Sequence, residues 1–230
     1  MLTRSLGALT SPELARRAPV LAVPLGATEQ HGPHLPLGTD TAIATALCHR
    51  LAAAVADVLV APAVPYGSSG EHAGFPGTVS IGQEAVELLV VELVRSLDDV
   101  AAAVLVNAHG GNRAPLHRAE QRLRSEGRPL LVWSPTGPAD DSHAGHTETS
   151  VMLHLHPDQV SPERAETGAT APLPDLIEPL RNHGVRAVSS NGVLGDPTRA
   201  TAAAGRRILD DWTASLTAAV GTFRATPLGG

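Results

Sequence analysis

The chain reads as an α/β protein, a three-layer α/β/α sandwich around a mostly parallel sheet, and three observations lead there. Short Val/Leu-rich runs alternate with longer amphipathic stretches. The runs are continuously apolar, as in Ala101-Ala-Ala-Val-Leu-Val-Asn107, which suits strands covered by helices on both faces of a parallel sheet. Each run is followed by a Gly-rich or His-containing segment, and open α/β sheets bind ligands beyond the carboxyl ends of their strands.

The predicted strands lie at 19–25, 58–64, 101–107 and 129–134, with helical patterns between them at 40–56, 83–97 and 112–126. A further helix starts near Glu148 and runs through Met152 to Leu155, stopping before His156-Pro157. The stretch 157–199 holds several prolines and the turn-rich Asn191-Gly-Val-Leu-Gly-Asp-Pro197, so it reads as irregular, a lid or an oligomer contact. An alanine-rich terminal helix covers about 199–222, and the closing Pro-Leu-Gly-Gly reads as a frayed tail. No repeat or domain boundary interrupts 1–230, which is expected to form one domain.

Composition narrows the function. The 230 residues are 43% hydrophobic, enough for a substantial core, and the net charge is −6. Lysine is absent, so the chain has no polybasic patch for nucleic acid and no P-loop. Gly-x-Ser-x-Gly, Gly-x-Gly-x-x-Gly and His-Glu-x-x-His are absent too, which weakens serine hydrolase and dehydrogenase readings. The N-terminus lacks the apolar core of a secretory signal, and no apolar run reaches the roughly 18 residues of a membrane span. A cytoplasmic protein without a membrane partner is the expectation. The single Cys48 sits in an alanine-rich helical pattern and is expected to be buried and inert. Aromatics make up only 2%, so ligand binding must lean on polar and metal contacts.

Glu29-Gln-His31 followed by Asp40 reads as half of a metal site, because carboxylate and imidazole are donors that divalent zinc, iron and manganese accept. Further donors stand after the later strands: His109 in Asn107-Ala-His109-Gly-Gly-Asn112, then His143 and Glu148 in His143-Ala-Gly-His146-Thr-Glu148. Tyr66-Gly-Ser-Ser-Gly-Glu71-His72 follows the second strand; Glu71, His72 and Gly111 are expected to face substrate on the same rim. Plainer roles compete. Asp40 would also serve as a helix cap, His109 as a histidine satisfied by loop carbonyls, and Glu148 as a charge favourable to a helix start. At most one of His143 and His146 is expected at the site, and His34, His49, His117, His154, His156 and His183 read as surface or helix-face residues.

Gly26-Ala-Thr-Glu29-Gln-His31-Gly through Asp40, then Gly74-Phe-Pro-Gly-Thr78, Asn107-Ala-His109-Gly-Gly-Asn112 and Glu148-Thr-Ser150 resemble, in order, the creatininase family of amidohydrolases. The resemblance spans roughly 20 to 200. It implies a dinuclear site with Glu29, His31, Asp40 and His109 as ligands, Asp40 bridging two divalent ions (Fe2+, Zn2+ or Mn2+), and His143 moving protons. Creatininase itself has a second-metal glutamate where this chain has Gly111; Glu148 is the candidate replacement and, with His143, a candidate catalytic residue. The 70–75 loop and Ser190-Asn-Gly-Val-Leu-Gly-Asp-Pro197 are most similar to members that cleave a modified precursor peptide. That likeness implies the peptide as partner, release of its cross-linked C-terminal Val-Tyr-derived unit, and a homo-oligomer, a hexamer among relatives. Two alternatives stand beside it: a small-molecule amidohydrolase of creatininase or formamide-hydrolase type, and a metal-dependent binding protein without turnover.

Overall fold

The computed structural model describes residues 4–15, 17–128 and 130–225. Four parallel strands, β1 (Val20–Leu25), β2 (Val58–Val60), β3 (Ala102–Asn107) and β4 (Leu130–Trp133), form one sheet in the order β2-β1-β3-β4. Between and after them come helices α1 (Thr39–Ala54), α2 (Gln83–Arg95), α3 (Arg113–Ser125), α4 (His146–Leu155), α5 (Leu173–His183) and α6 (Ala202–Ala225). Among the described residues, no helix is long and apolar enough to cross a membrane.

Alternate side chains of the strands build two cores, because successive residues of a strand point to opposite faces. Val20, Ala22, Val58, Val104 and Val106 pack against Leu47 and Leu51 of α1, Val151 and Met152 of α4, and Leu209 and Leu216 of α6. Leu21, Val23, Leu25, Leu59 and Leu105 face Val90 and Val94 of α2 and Leu116 and Leu123 of α3. The expected three layers follow, with β1 and β3, the central strands, buried throughout. Cys48 is fully buried in the first core, where burial pushes its thiol pKa up.

Two expectations change. The second strand stops at Val60 instead of 64, and Pro24 on β1 explains it: this residue faces β2, its carbonyl accepts from Val64 N–H, but its nitrogen has no hydrogen to give to the ladder. Beyond β2, among the described residues, the pairing of these two segments continues as the isolated bridge between Leu25 and Val64. The stretch 157–199 is not wholly irregular, since it holds α5 and the single turn Val185–Val188. These carry a small cluster, Leu180, Val185 and Leu194 with Phe75 against it, which ties the segment to the 70–75 loop. The expected frayed tail after Pro227 lies outside the described residues.

Candidate metal centre

Every proposed ligand stands at the carboxyl end of the sheet. Glu29 and His31 follow β1, Asp40 occupies the first turn of α1, His109 lies two residues past β3, and Glu148 sits in the first turn of α4. The loop after β1 can approach the start of α1 because residue 26 is glycine; a Cβ there would lie 2.4 Å from the Thr41 nitrogen. Two buried amides frame His109: Asn107 donates to its carbonyl at 2.8 Å, and Asn112 donates to the carbonyl of Gly26 at 3.1 Å while accepting from Ser68 N–H at 2.9 Å.

The donors converge into two sets that share Asp40. Its Oδ1 lies 3.1 Å from His31 Nε2, which is 3.9 Å from Glu148 Oε2; its Oδ2 lies 3.4 Å from His109 Nδ1, which is 3.2 Å from Glu29 Oε1. In each set, Glu29–Asp40–His109 and His31–Asp40–Glu148, one donor atom per residue falls within 4.8 Å of the others. Glu29, His31 and His143 form a third such set on the same centre. Asp40 is not a cap: α1 starts from Gly38 without a side-chain capping bond, and the carboxylate turns inward.

The hydrogen bonds on the far side of each imidazole show which lone pairs the centre presents. His31 Nδ1 lies 3.0 Å from the carbonyl of Glu29, and His109 Nε2 lies 2.9 Å from the carbonyl of Ser68. A carbonyl only accepts, so those nitrogens carry the protons and His31 Nε2 and His109 Nδ1 turn lone pairs onto carboxylate oxygens. Both oxygens of Glu29 and Oδ2 of Asp40 are buried with no hydrogen-bond partner among the described residues. Lone pairs facing lone pairs in a dry interior repel unless a cation or an extra proton lies between them. With protons alone, burial lowers the His31 pKa, but Asp40, then Glu148 and Glu29, outweigh it and push it up to about 10. His109 behaves in the same way: burial pulls it down, Glu29 and Asp40 raise it to about 10. The donor set and its unpartnered oxygens fit divalent ions of the oxygen- and nitrogen-liking kind.

Of the remaining expected residues, His143 reaches the centre, with Nδ1 3.7 Å from Glu29 Oε1, and His146 joins none of the donor sets among the described residues. Burial, with His31 and His72 adding to it, holds the His143 pKa well below the usual histidine value. His72 also arrives, Nε2 3.4 Å from Glu29 Oε1, its pKa lowered to about 4 by burial above all. Glu71 Oε1 stands 3.7 Å from His109 Nε2 at the more exposed margin. Gly111 has no room for any side chain, since a Cβ would lie 2.2 Å from Ser68 O and 2.4 Å from Glu71 Oε1. Burial raises the Glu148 carboxyl to about 7, and its Oε2 accepts from Ala144 N–H at 2.6 Å. One histidine was misread: His34 is buried, its Nε2 2.8 Å from Thr149 Oγ1 on α4. The roles of Gln30, Asn107 and Asn112 were not anticipated, although all three amides stand within five residues of an expected ligand histidine, in the loops that follow β1 and β3 or at their start.

A parallel sheet that gathers buried carboxylates and imidazoles into paired donor sets defines a metal-type hydrolase centre, and the chain belongs to the creatininase family, whose model (Creatininase: Creatinine amidohydrolase) matches residues 7–220. It is a hydrolytic enzyme of that family. It is similar to the mycofactocin precursor peptide peptidase of Mycobacterium tuberculosis, 54% identical over 214 residues that cover 88% of this chain and 85% of the relative. The creatinine amidohydrolase of Pseudomonas putida is 32% identical over 206 residues, covering 74% of this chain and 79% of that one. A solved structure described as "Creatininase Mn" superposes with a TM-score of 0.83 at 28% identity, over 98% of this chain and 100% of its own.

Proposed function

We propose that this chain is a metal-dependent peptidase that releases the modified C-terminal Val-Tyr-derived unit of the mycofactocin precursor peptide by hydrolysing the preceding Gly-Val bond. The observation that carries the substrate is the 54% identity, sustained over 88% of the chain, to the mycofactocin peptidase. The chemistry rests on the division of the two Asp40 oxygens between two donor sets. Glu29, Asp40 and His109 would hold one divalent ion, and His31, Asp40 and Glu148 the other. When bound, such ions acidify water and polarise a carbonyl.

The chain's own groups then have distinct work. The bond from His31 Nδ1 to the Glu29 carbonyl and that from His109 Nε2 to the Ser68 carbonyl fix each ring as a donor of one chosen lone pair. His143, kept neutral by burial, accepts the proton of the attacking water at Nδ1 and delivers it to the departing amide nitrogen. Glu71, with His72 beside it, lies where the 70–75 loop meets the centre, in position to face the peptide, and α5 buttresses that loop. Gly111 leaves the backbone bare beside Glu71. A cytoplasmic homo-oligomer, with iron, zinc or manganese in the centre, completes the proposal.

The 32% identity to a creatinine amidohydrolase favours a second reading, a small-molecule amidohydrolase using the same ligands. Incubation of the pure protein with modified precursor peptide, creatinine and a formamidopyrimidine separates the two. Cleavage of the peptide alone is expected, and creatinine or formamide turnover without peptide cleavage overturns the proposal. His143→Ala is expected to keep its metal content while losing about 10²–10⁴-fold in kcat.

A further inference from the structure

Gln30 lies between two expected ligands and is itself 5% exposed. Its side-chain orientation is fixed by backbone groups of known polarity. Oε1 accepts from Gly32 N–H at 2.9 Å, and Nε2 donates to the carbonyl of Gly192 at 3.0 Å. The amide therefore cannot be turned over, and its second hydrogen has two neighbours, His72 Nδ1 at 2.9 Å and His143 Nε2 at 3.1 Å; the latter also lies 2.9 Å from the Gln30 carbonyl, which only accepts, so it carries a hydrogen of its own and the amide hydrogen goes to His72 Nδ1. An N–H donor facing that atom requires it to be unprotonated. Neutral His72 then carries its hydrogen on Nε2, the nitrogen nearer Glu29, 3.4 Å from Oε1 without a hydrogen bond to it.

The backbone of the same residue sets the second ring in the opposite sense. His143 Nε2 is 2.9 Å from the carbonyl of Gln30, so it carries the hydrogen and Nδ1 turns a lone pair to Glu29 Oε1, 3.7 Å away. The rings stand with centroids 4.5 Å apart, each with one nitrogen near the same carboxylate oxygen. Gly192 locks the arrangement: its φ is +81°, and a Cβ there would lie 2.0 Å from Gln30 Oε1.

We propose that Gln30 is a positioning residue, which makes His72 present a hydrogen-bearing nitrogen towards Glu29 and His143 a lone-pair nitrogen, and that the 189–195 loop acts on the centre through its contact with Gln30. The kinetic part rests on the reading of the site as a hydrolase; the placement of hydrogens does not. The same contact gives the proline-rich segment a task beyond covering the site. Without the amide, His72 is free to hold its hydrogen on either nitrogen and to turn away from Glu29.

Long-range 1H–15N correlation on the zinc-loaded, 15N-histidine-labelled protein reads the tautomers directly, with His72 assigned by the signal lost in His72→Phe. The expected result is the Nε2–H form for His72 in the unaltered protein and the Nδ1–H form in Gln30→Glu, whose carboxylate can only accept. Gln30→Met should retain its metal content and KM within about twofold while kcat falls about 10–100-fold, the usual cost of losing a support behind the reacting groups. A His72 hydrogen on Nδ1 in the unaltered protein overturns the proposal, as does a folded Gln30→Met with unchanged kcat. If Gln30→Met does not fold, the spectrum of the unaltered protein decides; if the protein cleaves no amide, the spectrum still tests Gln30 while the hydrolase reading alone fails.

Discussion

Gly111→Ala is a one-carbon probe of the metal centre. The added Cβ would lie 2.2 Å from the Ser68 carbonyl oxygen, 2.4 Å from Glu71 Oε1 and 2.5 Å from His109 Nε2. Glu71 is a flexible side chain and can swing out, but the other two are a backbone atom and a buried ring. To reach even 3.0 Å, the Ser68 oxygen must retreat by about 0.8 Å (3.0 − 2.2). A retreat along its 2.9 Å bond to His109 Nε2 would lengthen that bond to about 3.7 Å (2.9 + 0.8), past any useful hydrogen bond. Loss of the partner that fixes a ligating imidazole costs about 10–100-fold in metal affinity, or about 1.4–2.8 kcal/mol. Competition against a chromogenic chelator measures the affinity. Gly110→Ala is the control, because nothing lies within 4 Å of its Cβ, and it should stay within about 0.5 kcal/mol of the parent in stability. Equal metal affinity in Gly111→Ala and Gly110→Ala would refute the argument that Ser68 and His109 are held where they stand.

Glu148→Gln keeps an oxygen for Ala144 N–H but removes the charge from the His31–Asp40–Glu148 set, so metal analysis should fall from two ions per chain towards one. Thr149→Val deletes the hydroxyl 2.8 Å from His34 Nε2 and leaves a buried imidazole, whose Nδ1 has no partner among the described residues, without a side-chain hydrogen bond; urea denaturation should register a loss of about 1–3 kcal/mol. Gly205→Ala places a Cβ 1.9 Å from the backbone oxygen of Ser150, where α6 crosses α4, and overpacking of that contact should lower stability by about 1–3 kcal/mol in the same assay.

The layers were legible because both faces of β1 and β3 are covered, so these strands appear in the sequence as unbroken apolar runs. The helix α5 was not, although Leu173, Leu176, Ile177 and Leu180 follow helical spacing. Its prolines argued against it. Pro174 falls at the start, where a helix N–H has no partner to lose, and only Pro179 stands inside, within a short amphipathic helix that packs Leu180 against Val185 and Leu194. His34 was misread for a different reason: its partner Thr149 is 115 residues away, and nothing in its neighbourhood reveals that reach.

Asp40 shows most clearly what residue type and spacing can carry and what only geometry adds. Its position at the start of an amphipathic pattern allowed a cap or a ligand, and both roles ask for a carboxylate. The sequence could not separate them, because the deciding fact is the direction of the side chain. In the fold the helix takes its start from Gly38, and the carboxylate is left free of capping and 1% exposed. One oxygen then meets His31, and the other meets His109 from a different strand end. Such a division of a single carboxylate serves no helix and no surface. It suits two cations held side by side, which is why the loss of Asp40 should disturb both donor sets, whereas the loss of Glu148 disturbs one.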